Sequence, residues 1–270
     1  MLFKSNHLLP HTSPLPAIGQ SMQILPTVDS TNNYAMAQIR GGTAAHGSCF
    51  LALEQTAGKG QRGKTWESAT GLNIMLSTVI QAQAPFTQFP FLLSASVALA
   101  VFDFYSAYTT TEDVQIKWPN DLYWQDRKAG GILIEAIRES GEAFRESSGL
   151  KWFVVGMGIN INQTSFDATV NQRVSLKQIT GKHWDVLEMS RKLCSYLDKR
   201  FHQLISIPPQ EILKNYNQVL YKKEQSVTLK KNNQRFNTKV IEVDMDGRLV
   251  TMDQLERKWD VGEVEWVKER

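Results

Sequence analysis

The sequence predicts an α/β (α+β) body followed by a small β-barrel, and three observations predict it. Short apolar runs of strand length alternate with segments of helical period through most of the chain. One long stretch, Phe86 to Tyr108, carries its apolar residues at helical spacing and reads as a buried core helix packed on a sheet. After about Leu220 the texture changes to short alternating segments separated by Lys-Asn-Asn, Asp-Gly and Gly-Glu, the pattern of small strands joined by tight turns. The expected divisions are an arm at residues 1–20, a body at 21–220 and the barrel at 221–270.

Bulk properties are those of an ordinary globular protein. The 270 residues are 42% hydrophobic and 21% charged, enough to bury a substantial core without covalent staples. A net charge of +3 by itself demands no nucleic acid. No apolar run approaches the ~20 residues needed to cross a bilayer, so no membrane partner is expected. No hydrophobic signal segment precedes Pro10, which makes the cytoplasm the expected compartment. Cys49 and Cys194 sit in apolar surroundings and read as reduced core residues.

Taken in order, residues 1–20 are polar, proline-containing and aperiodic, and are expected to form a poorly ordered arm. Met22 to Leu25 is a short strand. Asp29 or Ser30 then caps a helix running through Tyr34, Met36 and Ile39 to Gly41-Gly42. Cys49 to Leu53 and Leu72 to Ile80 are strands flanking a Gly-rich stretch. Val114 to Trp118 is a strand broken by the turn residues Pro119-Asn120-Asp121. Leu122 to Trp124 and Gly131 to Ile137 read as hairpin arms with Gln125, Asp126, Arg127 and Lys128 between them, and residues 139–149 as a mobile hairpin tip. Phe153 to Ile161 is a strand whose Gly156 and Gly158 suggest a bulge or a close-approaching ligand. Val186 to Leu204 is an amphipathic helix, and a second helix follows Pro208-Pro209.

The Gly-rich stretch, Glu54 to Trp66, interleaves Gly58, Gly60 and Gly63 with Lys59, Arg62 and Lys64. Residues without Cβ let backbone N–H groups approach a ligand, and the cations add charge, so a phosphate or carboxylate is the natural guest. A basic surface loop is the plain alternative. It is not read as a phosphate-binding P-loop, for want of a Gly-Lys-Ser/Thr ending that opens a helix.

Three further segments accompany this loop. They are Asp29-Ser30-Thr31-Asn32; Lys117-Trp118-Pro119-Asn120-Asp121-Leu122 with Asp126 to Glu135; and Val155-Gly156-Met157-Gly158-Ile159-Asn160-Ile161-Asn162. Together and in this order, over about residues 22–267, they resemble the biotin protein ligase family. The resemblance implies a catalytic domain with a mixed sheet similar to the class II aminoacyl-tRNA synthetase core, and an SH3-like form for the C-terminal barrel. With the first core strand near Met22, it implies the short, monofunctional type, with no N-terminal winged-helix domain and no DNA partner.

The chemistry implied is activation of biotin by ATP, with Mg²⁺, to biotinyl-AMP and pyrophosphate. Transfer to a lysine of a biotin carboxyl carrier protein domain follows. Two anions must meet in the first step, and at an effective ε of about 20 unit charges ~4 Å apart repel by ~4 kcal/mol, which cations must offset. Carried onto this chain, the family pattern sets biotin against Ser30, Thr31, Asn32 and Gln55, with Gly58, Lys59, Gly60, Gln61, Gly131, Ile132, Leu133 and Gly156 completing its site. Lys59, Arg62, Lys64, Trp66, Asn120 and Asn160 fall on the ATP or adenylate side. Lys128 matches the family's essential lysine, touching both substrates, and with Arg62 is the catalytic candidate. Asp121 is a candidate Mg²⁺ ligand, or a turn-former bonding its own backbone. The loop is expected to act as a lid that keeps water from the mixed anhydride. It departs from the family's commonest Gly-Arg-Gly-Arg pattern, since Lys59, Gln61 and Lys64 stand where arginines are usual. Which loop cation meets the α-phosphate is therefore open, with Arg62 as the neighbour within reach.

Two rival readings stand beside this one. A lipoate or octanoate ligase or transferase of the same superfamily is disfavoured by the Lys-Trp-Pro-Asn-Asp run and the lack of a Gly-Gly-Gly followed by His-Asp. A nucleic-acid-binding module would use Lys222, Lys223, Lys230, Lys231, Arg235 and Lys239, although such charges near turns are usually a solvated face. The same cations would alternatively meet an acidic carrier domain. The histidines show neither metal-ligand spacing nor a nucleophile partner.

Overall fold

The computed structural model of the chain describes residues 15–138, 150–166 and 173–267. Seven strands form one mixed sheet: β1 (Met22–Val28), β2 (Cys49–Gln55), β3 (Ile74–Gln81), β4 (Val114–Lys117), β5 (Asp121–Trp124), β6 (Arg127–Arg138) and β7 (Leu150–Ile159). Their order is β1-β2-β3-β7-β6-β5-β4. Only β1 and β2 pair in parallel, a geometry that needs a crossover, and α1 (Thr31–Arg40) supplies it. This helix packs on one face over Leu25, Phe50, Ala52, Met75, Val79 and Val154. The opposite face, with Ile74, Leu76 and Val155, is covered by α2 (Phe91–Ser106) and α4 (Val186–Ser206). α2 is apolar nearly all round, as befits a helix enclosed by the sheet, α4 and α5 (Pro209–Gln218).

Two expected loop residues, Arg127 and Lys128, prove to be strand residues. The β5–β6 turn is only Gln125-Asp126, with Gln125 at φ 52°, and Lys128 lies in β6 opposite Tyr123. The tightening has a visible cause: Asp126 is held by the Tyr221 hydroxyl at 2.7 Å and by Lys222 at 3.0 Å, which also keep its carboxyl below the usual range. α3 (Leu176–Thr180) went unread in the sequence, because five residues are too few for a period; its signal is the capping box of Ser175 and Gln178.

At the N-terminus, Ile18 is buried and donates its N–H to Asp198 at 2.8 Å, so the chain joins the core before Met22. Residues 1–14 of the expected arm, and the expected tip at 139–149, lie outside the described residues. Cys49 and Cys194, distant in sequence, meet in the core with their sulfurs 3.7 Å apart.

Where a small barrel was expected, β8 (Ser226–Lys231), β9 (Gln234–Val243), β10 (Leu249–Met252), β11 (Glu256–Trp259) and β12 (Glu265–Trp266) form an antiparallel sheet in the order β11-β10-β9-β8-β12. Its apolar side is continuous with the core of the body. Trp118 Nε1 donates to the Gly247 carbonyl at 2.9 Å, and the Asn217 amide pairs with both backbone groups of Val243. No helix among the described residues is long and apolar enough to cross a membrane.

A buried histidine makes the core acid-sensitive. His46 is buried against the Phe201 ring, and its Nδ1 accepts from the Gln81 N–H at 3.1 Å. Burial pulls its pKa below the ordinary 6.5, with nearby His202 adding to the effect and Asp198 opposing it. The unfolded chain therefore takes up a proton as pH falls through about 6.5 while the folded chain does not, and stability present above that pH is lost below it. The loss is at most ~1.4 kcal/mol per pH unit from this group. Melting temperatures at pH 7.5 and 5.5 are expected to differ more for the wild type than for His46→Gln.

Candidate active site

The site is built on a floor of glycines. Where β6 and β7 run side by side, Gly131 lies opposite Gly158 and Leu133 opposite Gly156. A Cβ on Gly156 would stand 2.2 Å from Asn32 Oδ1, and one on Gly158 would stand 2.3 Å from the Trp66 ring. Asn32 and Trp66 thus lie flat on strand backbone that any side chain would deny them. Above this floor opens a cavity whose apolar wall is made by the side chains of Met75 and Leu133, while Ile132 and Met157, whose side chains enter the core on the other face of the sheet, line it with backbone.

One end of the cavity is a polar network. Ser30, Thr31 and Asn32 are buried at the start of α1. Neither Ser30 nor Asp29 caps the helix through its side chain: the Ser30 side chain makes no cap bond, and Asp29 accepts from Asn33. Gln55 does that work from the end of β2, its Oε1 accepting from the Thr31 N–H at 2.8 Å and the Thr31 hydroxyl at 3.1 Å. The Gln55 side-chain N–H₂ remains as a donor toward the cavity. Ser77 lies 2.7 Å from Thr31 Oγ1 and donates to Asn32 Oδ1 at 2.6 Å. Asn32 Nδ2 in turn donates to Glu135 at 2.7 Å.

The other end carries charge. Lys128 Nζ sits 2.6 Å from Asp121 Oδ1 and 5.7 Å from the centre of the Trp66 ring, with both partners about a quarter exposed. Beside them Asn120 is held by its Nδ2 bond to the Ile132 carbonyl at 2.6 Å. The indole N–H of Trp66 is buried with no partner among the described residues, which leaves a donor for a ligand.

The Gly-rich stretch folds as a small hairpin beside this cavity. Trp66 donates to the Gly58 carbonyl at 2.9 Å, Lys59 bridges Thr65, and Gly60 donates to the Lys64 carbonyl at 2.6 Å. Gly58 to Thr65 does carry the Gly-x-x-x-x-Gly-Lys-Thr spacing of a P-loop, but Thr65 belongs to the hairpin and the next element is β3, so no helix N-terminus faces the site. At its tip a helical turn spans Gln61–Gly63 with Arg62 at φ 57°; the Arg62 guanidinium packs against Gly262, whose added Cβ would lie 2.7 Å from Cζ.

The cavity brings together Ser30, Thr31, Asn32, Gln55, Lys59, Gly60, Gln61, Trp66, Asn120, Asp121, Lys128, Gly131, Ile132, Leu133 and Gly156. Gly58, Arg62 and Lys64 line an adjoining groove on the far side of the loop, which Lys59 and Gly60 share. Asn160 does not line either space. It is buried, and its Nδ2 donates to the carbonyls of Lys128 and Val174, so its service is to hold the strand under Lys128. Met75, Met157, Ser77 and Glu135 were not singled out from the sequence, nor was Gly158 as a site residue; its spacing from Gly156 was the available signal. Asp121, expected as a turn-former or a metal ligand, is the ion-pair partner of Lys128. No group of three His, Cys, Asp or Glu among the described residues is placed to hold a metal.

Residues 24–152 match the model of the Biotin/lipoate A/B protein ligase family. The bifunctional ligase/repressor BirA of Escherichia coli is 34% identical over 169 residues, 62% of this chain and 49% of that protein. The biotin–[acetyl-CoA-carboxylase] ligase of Mycobacterium tuberculosis is 27% identical over 146 residues, 53% of this chain and 50% of that protein. The chain thus spans about half the length of the curated relatives it matches. The solved structure of biotin protein ligase from Aquifex aeolicus in complex with biotin and ATP superposes with a TM-score of 0.70, covering 93% of this chain and 100% of that one at 22% identity, a likeness of fold.

Proposed function

We propose, from the match of residues 24–152 to the Biotin/lipoate A/B protein ligase family, that the chain activates biotin with ATP and transfers the acyl group to a lysine of a biotin carboxyl carrier domain. One observation carries the choice of acid: the far end of the cavity is a buried polar network of Thr31, Asn32, Gln55 and Ser77. Biotin's ureido ring has a carbonyl and two N–H groups to meet it. The dithiolane of lipoate and the alkyl end of octanoate have no such groups and would leave the Gln55 side-chain N–H₂ without a partner, at a cost of about 1–3 kcal/mol.

In this reading the ring lies over Gly156 against Asn32 and Gln55, and the valeryl chain runs along Leu133 and Met75 toward Lys128. The Lys128 ammonium neutralises the acid's carboxylate and follows the oxygen that becomes the bridge of the mixed anhydride. Biotin's carboxylate oxygen bonds to the α-phosphorus as the bond to the pyrophosphate oxygen breaks. Trp66 and Asn120 flank the nucleotide, with Lys59, Arg62 and Lys64 on the loop as the cations nearest its phosphates. Were Mg²⁺ to accompany the nucleotide, Asp121, which is paired with Lys128, is the carboxylate lining the cavity that would help hold it, and the ion would supply positive charge against the phosphates. The carrier's lysine amine then attacks the acyl carbon and releases AMP.

The basic tail supports this reading over nucleic-acid binding. Lys222, Lys231 and Lys239 are committed to ion pairs with Asp126, Glu263 and Glu224. Two reduced, buried thiols 3.7 Å apart suit a reducing compartment, and we assign the protein to the cytoplasm. The test is transfer: with Mg-ATP and biotin, a purified biotin carboxyl carrier domain should gain one biotin, and its acceptor Lys→Arg variant none. An unlabelled carrier in the presence of folded protein would overturn the proposal.

A further inference from the structure

We infer that Glu135 is a positioning residue that ties the wall of the biotin cavity to the Gly-rich loop, an inference that rests on the function proposed above. Glu135 lies two residues beyond Leu133 on β6, so both side chains rise from the same face of the sheet. Its carboxylate does not line the substrate cavity but opens into the adjoining groove, about a third exposed. One oxygen accepts from Asn32 Nδ2 at 2.7 Å, and the other stands 3.7 Å from Lys59 Nζ.

Each contact holds something the site needs. Asn32 Oδ1 already accepts from Ser77, so the bond to Glu135 decides which way the amide faces over Gly156. The remaining acceptor for Nδ2, the Leu133 carbonyl, is 3.4 Å away and too far to hold the group alone. Lys59 lines both the cavity and the groove, so the carboxylate fixes where this loop cation rests; Asp29 is the other acid that feels its charge. The carboxylate is thus shared between ring recognition and loop placement.

Glutamine separates the two roles. In Glu135→Gln the amide oxygen still accepts from Asn32, but the charge that attracts Lys59 is gone; Glu135→Ala removes both. Trypsin digestion without any ligand, cutting after Lys59, Arg62 or Lys64, is expected to proceed about two- to five-fold faster in both variants than in the wild type, as loss of an exposed ion pair allows. Biotin titration by calorimetry is expected to give Glu135→Gln an affinity within three-fold of wild type and Glu135→Ala one weaker by about ten-fold, the usual effect of losing one good hydrogen bond. Equal digestion rates in all three proteins, or equal losses of biotin affinity in the two variants, would overturn the inference. Should the wild type bind no biotin, the proposed function fails, while the ligand-free digestion still decides the tie to Lys59.

Discussion

Lys128→Ala is expected to slow formation of the acyl-adenylate by at least 10²–10³-fold in a single turnover, the usual effect of removing one preorganised charge from a reacting centre. The side chain stands in β6 at the charged end of the cavity, its ammonium 2.6 Å from Asp121. Its removal does more than delete a cation. Asp121 is left facing the incoming carboxylate, and at an effective ε of about 20 two such charges ~4 Å apart repel by ~4 kcal/mol. The double variant Lys128→Ala/Asp121→Ala should therefore recover biotin affinity relative to Lys128→Ala but not the rate. Lys128→Arg is not expected to rescue the rate, because a planar, bulkier guanidinium must fit where the ammonium lies near Trp66 and 3.3 Å from the position of a Gly131 Cβ. Pyrophosphate release on a stopped-flow timescale reads the rate. An unchanged rate in Lys128→Ala would remove this residue from the chemistry.

Gly156→Ala carries the second large effect. The new methyl would stand 2.2 Å from Asn32 Oδ1, a distance no real contact tolerates. Asn32 must leave, and with it go the bonds from Ser77 and to Glu135. Loss of two such contacts at the ring end is expected to weaken biotin binding by about 30- to 100-fold, or ~2–3 kcal/mol. Gly130→Ala is the matched control one strand away. Its methyl would meet Ile159 Cδ1 at 2.7 Å, on the core side, so it should lower the melting temperature and leave biotin affinity near wild type. Calorimetry and thermal melts on the pair separate the site from the core, and a Gly156→Ala protein that binds biotin like wild type would show that the glycine floor is not the ring's bed.

Much of this was legible in the sequence, for definable reasons. Strands with alternating or continuous apolar runs, such as Cys49–Gln55 and Ile74–Gln81, and long periodic helices such as Val186–Ser206 announce themselves through burial. Motif residues near one another in the chain, Lys117 to Gly131 above all, were read together because the hairpin that joins them is local. What stayed hidden was made by pairing across distance. Ser77 looks like any polar residue on a strand until β3 sets it between Thr31 and Asn32. Glu135 is the tail of a motif until Asn32 and Lys59 converge on it. Asn160 is set on the ligand side by the family resemblance alone, but tertiary structure uses its amide to bond two carbonyls beneath the site. Four polar residues in a row, Lys128 among them, read as a turn, and only the hold of Tyr221 and Lys222 on Asp126 shows why two suffice.

The most direct measurement is mass spectrometry of the protein incubated with Mg-ATP and each of three acids: biotin, lipoate and octanoate. Biotinyl-AMP from the wild type, at least 10²-fold slower to form in Lys128→Ala, and no adenylate of the other two acids, is the expected result. An adenylate of lipoate or octanoate in place of biotin, or none from any acid with the protein folded, would contradict the account.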